Sequence, residues 1–475
     1  MDTDGAPPKA PAASPPLTLA ALSLGVLLPL VDADVLMGWR WAGTVATPFL
    51  VLYFACCWRR IMLTAKALLV LCVALGLIVL TRPHGADTLL AALSRMTFFP
   101  AFVAALALLR AAADMSTTVE RAGRLLVNQP PSRRYAALTA GGHIFGILLN
   151  IGGLALLLDM TKRANTLDAA FGETRVVDLR EKRMTLAVLR GFSSIAFWSP
   201  LGLALNLLLA CMPEVAWADV APYGFAAALA FMTLGLVFDL VENPRPTRPR
   251  SVVHDPGGAR AVAALVGHIA ALSGLALAAE YLTHFSFQAI LINLVPLYAV
   301  AWLIGSALKR GGAPVPHAMR TLRDKGIARW PTYANEIAIF AASGLLGVIL
   351  ADLAPRAALE NAIVAMAAPA GTFAAGLSLC VVVAGLLGIN PMISASILAA
   401  TLSSISVPGL SQANILLALA GGWACIIGFG PLMSSLVMAS AVIGRRPALV
   451  GMTWNGRFVI AAVVLWSCAL LIVRI

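Results

Sequence analysis

Gly385-Leu-Leu-Gly-Ile-Asn-Pro-Met-Ile-Ser394 and Ile426-Ile-Gly-Phe-Gly-Pro-Leu-Met-Ser-Ser435 stand at the two ends of one apolar stretch, 385–435. Each places glycine and proline inside a run that could otherwise form an uninterrupted spanning helix. Pro391 and Pro431 each delete a backbone donor and crowd the preceding turn. In lipid the carbonyls so released must meet protein or a wet cavity, because nothing else can satisfy them. Two breaks this close together mark a place where polar backbone meets a solute.

The second break has an earlier likeness. Ile195-Ala-Phe-Trp-Ser-Pro-Leu201 aligns with Ile426-Ile-Gly-Phe-Gly-Pro-Leu432, setting Pro200 against Pro431 and Leu205 against Leu436. Upstream, Thr139-Ala-Gly-Gly-His-Ile-Phe-Gly146 reads as the counterpart of Gly388-Ile-Asn-Pro391. Paired interruptions in two halves of a hydrophobic chain point to the binding site of a secondary transporter. The plainer reading is a pair of ordinary proline kinks in a bundle.

Around these stretches the chain is 60% hydrophobic and only 12% charged over 475 residues. A soluble domain carries roughly twice that charge, so the fold class is an all-α polytopic membrane protein embedded in a lipid bilayer. The formal charge of +12 does not imply nucleic acid, because the basic residues sit in loops between apolar runs, where they report orientation. Seven cysteines lie in or beside apolar segments without CxxC or His/Cys spacing, so neither a metal site nor a disulfide framework is expected.

Apolar runs at 17–31, 41–57, 61–80, 87–112, 186–211, 222–241, 261–283, 285–308, 336–353, 411–444 and 456–473 predict eleven transmembrane helices. Two further segments, 136–158 and about 371–403, are read as re-entrant hairpins with tips near Gly142-His143 and Ile389-Asn390-Pro391. Charge supports this layout. Of 34 Lys/Arg, only Arg40, Arg82, Arg356 and Arg474 fall on the outer face and Arg95 and Arg110 inside the fourth span. The rest gather on the cytoplasmic side, as the positive-inside rule requires. A full crossing at 136–158 would throw the following basic loop outward.

The organisation expected is a disordered lead (1–16), scaffold spans (17–115), an interfacial arm (116–135), and a first transport half (136–241). Further scaffold spans and an arm (242–370) precede a second transport half (371–475). The two halves form an inverted repeat of hairpin, broken span and span. Val119–Val127 is amphipathic and lies either along the lipid interface or as a plain loop helix.

The order of hairpin and broken helix over roughly residues 87–473, with Gly388-Ile-Asn-Pro-Met-Ile-Ser394 at a tip, resembles the ion-transporter superfamily. Its members include divalent-anion:sodium symporters, citrate transporters and arsenite-efflux permeases. The resemblance implies a homodimer whose mobile domain moves against a fixed scaffold by an elevator mechanism. The expected location is a bacterial inner (plasma) membrane, and the charge distribution puts the amino terminus in the cytoplasm and the carboxyl terminus on the periplasmic or extracellular side. The tips and breaks here read Gly-Gly-His, Ile-Asn-Pro, Trp-Ser-Pro and Phe-Gly-Pro, where the symporters carry Ser-Asn-Thr signatures.

The candidate solute- and ion-binding residues are Gly142, His143, Ser194, Ser199, Pro200, Asn206, Asn390, Pro391, Ser394, Gly430, Pro431 and Ser434. His143 can donate to an anion or exchange a proton near neutral pH, or it can pack as a core histidine. Asn390 both donates and accepts. Serines in spans bond to their own helix as readily as to a ligand. Arg190, at the entrance to the first broken span, either attracts an anion or anchors to phosphates.

Intramembrane carboxylates are nearly absent from the transport halves, which disfavours a cation exchanger. The expected function is secondary active transport of a small anionic solute, with no cofactor and with H+ or Na+ as the coupling ion. The alternative is an integral-membrane enzyme acting on a lipid-linked substrate. That alternative lacks a His-Glu-x-x-His, Gly-x-Ser-x-Gly or phosphate-cradling lysine loop.

Overall fold

The computed structural model describes residues 15–170, 172–243, 257–309 and 313–472. Most of the lead expected at 1–16, and much of the basic loop near 250, lie outside the described residues. Pro15 and Pro16 already belong to the first helix.

The chain opens with α1 (Pro15–Met37), α2 (Arg40–Cys57), α3 (Leu63–Val79) and α4 (Gly85–Asp114). A short α5 (Thr117–Val127) leads to α6 (Pro131–Leu149), α7 (Ile151–Ala164), α8 (Thr174–Ser193), α9 (Leu203–Cys211) and α10 (Trp217–Glu242). Then come α11 (Gly258–Thr283), α12 (Phe287–Leu308), α13 (Pro314–Thr321), α14 (Ala334–Leu353) and α15 (Arg356–Ala365). The last group is α16 (Ala370–Leu386), α17 (Pro391–Leu402), α18 (Gln412–Ile427), α19 (Ser434–Ile443) and α20 (Gly456–Ile472). Among the described residues the only β contact is an isolated bridge between Val407 and Leu410. That is the expected outcome where lipid leaves backbone groups only intrahelical partners.

Seven stretches among the described residues are long and apolar enough to cross a membrane: those of α1, α2, α4, α10, α11 and α12, and 314–353, which contains α14. The protein is therefore an all-α polytopic membrane protein. The remaining expected spans are α3, α20 and the broken pairs α8–α9 and α18–α19, whose pieces are shorter except for α8, which is long enough but charged in its first half.

One bundle is built on α4, whose apolar window is wholly buried and which packs against α1, α2, α12 and α14. Trp330 locks it, donating its indole N–H to the Ala104 carbonyl (3.1 Å) while its own carbonyl accepts from the Tyr53 hydroxyl (2.9 Å). The amphipathic α5 buries Val119, Ala122 and Leu126 against neighbouring helices α6, α7 and α11. Its apolar face meets protein.

The second body contains two structurally equivalent halves. A β-carbon on Gly191 of α8 would overlap the Thr139 carbonyl of α6, and one on Gly422 of α18 would overlap the Ser378 carbonyl of α16. Gly146 packs on Ile195, and Gly385 on Ile426. In the broken helices these partners share the offset that aligns Pro200 with Pro431. In the hairpins Thr139 pairs with Ser378 and Gly146 with Gly385 at a second common offset. Small residues let the helix backbones approach closely, the usual device where burial from water cannot drive association.

The first hairpin turns elsewhere than expected. Gly142 and His143 lie in the middle of α6, and the chain reverses at Asn150, which has φ 53°. A β-carbon on Gly153 would overlap the Phe145 carbonyl, and one on Gly141 would touch Leu157, so α7 folds back along α6. The Gly-Gly pair that suggested a tip is a packing surface: a β-carbon on Gly142 would overlap the Val188 carbonyl. By register, the counterpart of the second tip is Leu149–Ile151 and not Gly142-His143. The second hairpin turns at Gly388–Asn390, where Gly388 adopts φ 89°. Pro391 follows at the first helical position of α17, where its missing N–H costs nothing.

Candidate functional site

Both broken helices open where their prolines require. Between α8 and α9 a 3-10 turn (Ser194–Phe197) gives way to a loop through Trp198, Ser199, Pro200 and Gly202. The Asn206 side chain reaches back and donates to the Pro200 (2.9 Å) and Gly202 (2.8 Å) carbonyls. Between α18 and α19 the loop runs through Gly428, Gly430 and Pro431. The Ser435 hydroxyl donates to the Ile427 carbonyl (3.0 Å), and the Asn455 amide donates to that of Gly428 (2.9 Å). Each break thus satisfies freed carbonyls with side chains.

The breaks meet each other. A β-carbon on Gly428 would stand 3.2 Å from Ser193 Oγ and 3.3 Å from Leu189, and α18 packs on the 3-10 turn of the first break. Each hairpin end lies on the break of its own half. Gly146 of α6 is against Ile195, a β-carbon on Gly388 would meet Leu432 at 2.7 Å, and one on Gly430 would lie 3.3 Å from the Gly385 carbonyl. Hairpin end, break, break and hairpin end form one contiguous zone.

His143 is buried and fully engaged. Trp198 Nε1 donates to its Nε2 (3.1 Å), so Nε2 carries no proton and Nδ1 must be the N–H. That Nδ1–H donates to Ser194 Oγ (2.8 Å), whose own proton goes to the Gly191 carbonyl (2.7 Å). This network assigns His143 as a neutral tie between α6 and the first break, not a tip residue open to solute.

The other candidates divide. Ser199 is fully buried, and its Oγ has no hydrogen-bond partner among the described residues; the same holds for Asn206 Oδ1 and Ser394 Oγ. Asn390 caps α17, its Oδ1 accepting from Met392 N–H (2.9 Å). Ser434 is exposed at the start of α19, and its neighbour Ser435 makes the bond across the break. Among the described residues, one cavity of about 390 Å³ lies beside Arg95 and Ser343 and another of about 310 Å³ beside Phe197 and Trp466. Neither is lined by His143, Ser199, Asn390 or Ser434.

Sequence reasoning missed the network that holds the second break. Arg190, 2% exposed, donates from Nε to Asn455 Oδ1 (2.9 Å) and from a terminal nitrogen to Tyr135 Oη (2.8 Å) and the Gly235 carbonyl (3.2 Å). Its guanidinium lies 4.1 Å from the centre of the Phe458 ring. No carboxylate lies within ion-pair distance among the described residues. Arg190 is therefore neither an anion lure at the entrance nor a phosphate anchor; through Asn455 it ties the first half to the Gly428 carbonyl of the second. The signal available was a pair of polar residues, Asn455 and Arg457, where an apolar last span should begin.

Outside the spans, Arg445 follows α19 and clamps α8 by donating to Glu181 (2.6 Å) and Asp178 (2.7 Å). The Glu181 carboxylate first, with Asp178 helping, raises its already high pKa. Lys162 of α7 donates to the Val442 carbonyl (2.8 Å) at the end of α19. These contacts hold the outer ends of the two halves together around the breaks.

No family model matches the chain, and no curated protein matches its sequence. Among solved structures, the chain is similar to the Alcanivorax borkumensis YdaH transporter, whose crystal structure is described as revealing an unusual topology. The TM-score is 0.52 at 14% identity, covering 86% of this chain and 98% of that one. At that identity the likeness is one of fold. The class it defines is a polytopic all-helical membrane protein with the architecture of a solved transporter.

Proposed function

We propose that this chain is a secondary active transporter of a small anionic solute, of the structural type found in the ion-transporter superfamily. In this reading α6–α10 and α16–α20 move as an elevator against a scaffold of α1–α4, α11, α12 and α14, in a homodimer. The observation that carries it is the meeting of two broken helices at Gly428 and Ser193, each with a hairpin end of its own half upon it. A static bundle gains nothing from two matched breaks. Helices α7, α9, α17 and α19 begin at this zone, and their N-termini offer partial positive charge to an anion.

Na+ is the favoured coupling ion. Ser199 Oγ and Asn206 Oδ1 are buried oxygens without partners, next to broken backbone, and such oxygens together with freed carbonyls suit a coupling cation. Proton coupling through His143 is disfavoured, because both its ring nitrogens are bound within the fold.

Ser343 of α14 and Ser396 of α17 lie across the moving boundary with their hydroxyls 3.1 Å apart. In a background without native cysteines, Ser343→Cys with Ser396→Cys should form a disulfide on oxidation. Counterflow of the solute in liposomes should then stop and return on reduction. Full transport by the cross-linked protein defeats the elevator. Stabilisation only by amines or metal cations defeats the anion, and turnover of a lipid-linked substrate would make the protein an enzyme.

A further inference from the structure

We propose that the cavity of about 390 Å³ between α4, α14 and the ends of α9 and α17 is an oxyanion-binding vestibule centred on Arg95. The proposal deepens the anion reading above by placing a first contact for the solute outside the breaks.

Arg95 is the residue that makes the cavity chemical. It sits one-third of the way along α4, just before the wholly buried stretch Met96–Ala113, and half-buried it lines the cavity wall. A guanidinium offers five N–H donors and cannot be neutralised by losing a proton. One of its nitrogens donates to the Ala210 carbonyl (2.9 Å) near the end of α9. Apart from the Phe98 ring, over which its guanidinium lies 5.7 Å from the centre, Arg95 has no other partner among the described residues and no carboxylate within ion-pair distance. An ionisable side chain within a spanning helix, without a counterion, is a functional-site hypothesis by default.

Around Arg95 the wall supplies what an oxyanion needs. Arg356 brings a second cation at the mouth, its side chain engaged among the described residues by the Ala351 carbonyl alone (3.3 Å). Ser343, Ser403 and Thr88 add hydroxyls, and the Phe99 ring gives an apolar floor. The acidic group in the lining, Asp352, accepts from Thr88 (3.4 Å) and leaves the two arginines in excess. A volume near the low end of the roughly 300–1,000 Å³ range of ligand pockets suits a small solute and excludes a peptide. The carbonyl end of α9 holds one donor only, so an oxyanion can take the others without displacing it.

The vestibule lies on the boundary between the two bodies. Its walls are α4 and α14 on one side, and Ala210, Cys211 and Ser403 on the other. A solute bound here touches both, and movement of one body against the other changes its surroundings.

The test is a thermal-shift titration of the purified full-length protein in a phosphate-free maltoside detergent. Sulfate, succinate and benzenesulfonate are the probes, against chloride at matched ionic strength. At least one should raise the midpoint in a saturable way, since a ligand of the folded state must do so. Arg95→Gln should raise the half-maximal concentration about tenfold or more, and the exposed Arg356→Gln about threefold. The assignment is overturned if none of the probes shifts the native protein, if the Arg95→Gln titration matches it, or if only added phosphatidylglycerol shifts it. Should Arg95→Gln not fold, Arg356→Gln decides, and an unchanged half-maximal concentration overturns the vestibule. Liposome counterflow separates this from the anion reading: transport confined to cations defeats that reading, whereas the binding titration stands or falls without it.

Discussion

His143 and Gly142 sit side by side and do different work. The imidazole accepts from Trp198 and donates to Ser194, so His143→Ala strands the part-buried Trp198 indole N–H and removes a partner of the buried Ser194 hydroxyl. A buried donor left unsatisfied costs about 1–3 kcal/mol, and the unfolding midpoint should drop accordingly; a midpoint equal to the native one would show that His143 is dispensable to the fold. At Gly142 any β-carbon overlaps the Val188 carbonyl, whereas a β-carbon on Gly152 meets nothing within 4 Å. Gly142→Ala should therefore destabilise by about 1–3 kcal/mol through overpacking. Gly152→Ala should be neutral or stabilise by up to about 1 kcal/mol, the ordinary helical preference for alanine. Equal midpoints for the two variants would contradict the close α6–α8 packing.

At the scale of the element, a proline beside a polar residue can end a helix or begin one. Pro391 begins α17, with Asn390 as its cap. Asn390→Asp should preserve the cap, while Asn390→Ala should cost about 1 kcal/mol. If the Asn390 amide also meets solute, affinity in the alanine variant falls by more than the lost cap can account for, and equilibrium binding beside thermal unfolding separates the two. Asn206 plays the corresponding part for the first break, holding two carbonyls at once. Asn390 was legible as a polar tip. The Asn150 turn was not, because the Gly-Gly pair drew attention to a stretch whose glycines serve packing. An Asn followed by Gly152-Gly153 was the available turn signal.

Over the whole molecule the two halves repeat their backbone and exchange their side chains. The large Arg190 lies against Gly235 in the first half; at the equivalent positions of the second, Gly421 lies against the large Trp466. Gly421→Ala should therefore destabilise strongly, since its β-carbon would overlap the Trp466 indole. Adding Trp466→Phe should recover much of the loss, and strict additivity of the two changes would refute the pairing. The inverted repeat expected from the charge distribution would place residues 159–185 on the cytoplasmic side. In a cysteine-free background Arg175→Cys should resist impermeant thiol reagents added outside intact cells, and react only after the membrane is opened.

Composition and local chemistry alone determined that this is a helical membrane protein, and located its interruptions at Pro200, Gly388–Pro391 and Pro431. Those are consequences of solvent and covalent structure: lipid leaves the backbone only its own helix, and proline lacks a donor wherever it stands. The likeness of Ile195–Leu201 to Ile426–Leu432 also made the repeat legible. Only the tertiary structure decided which glycines turn the chain and which let helices touch. It also decided that His143 is spent inside the fold, and that Arg190 meets Tyr135 and Asn455. Those outcomes depend on which helix lies opposite, and a side chain's neighbours across a bundle leave no trace in its own stretch of sequence. Arg95 was visible as a charge in a span, but the cavity beside it exists only where the ends of α9 and α17 come up against α4 and α14.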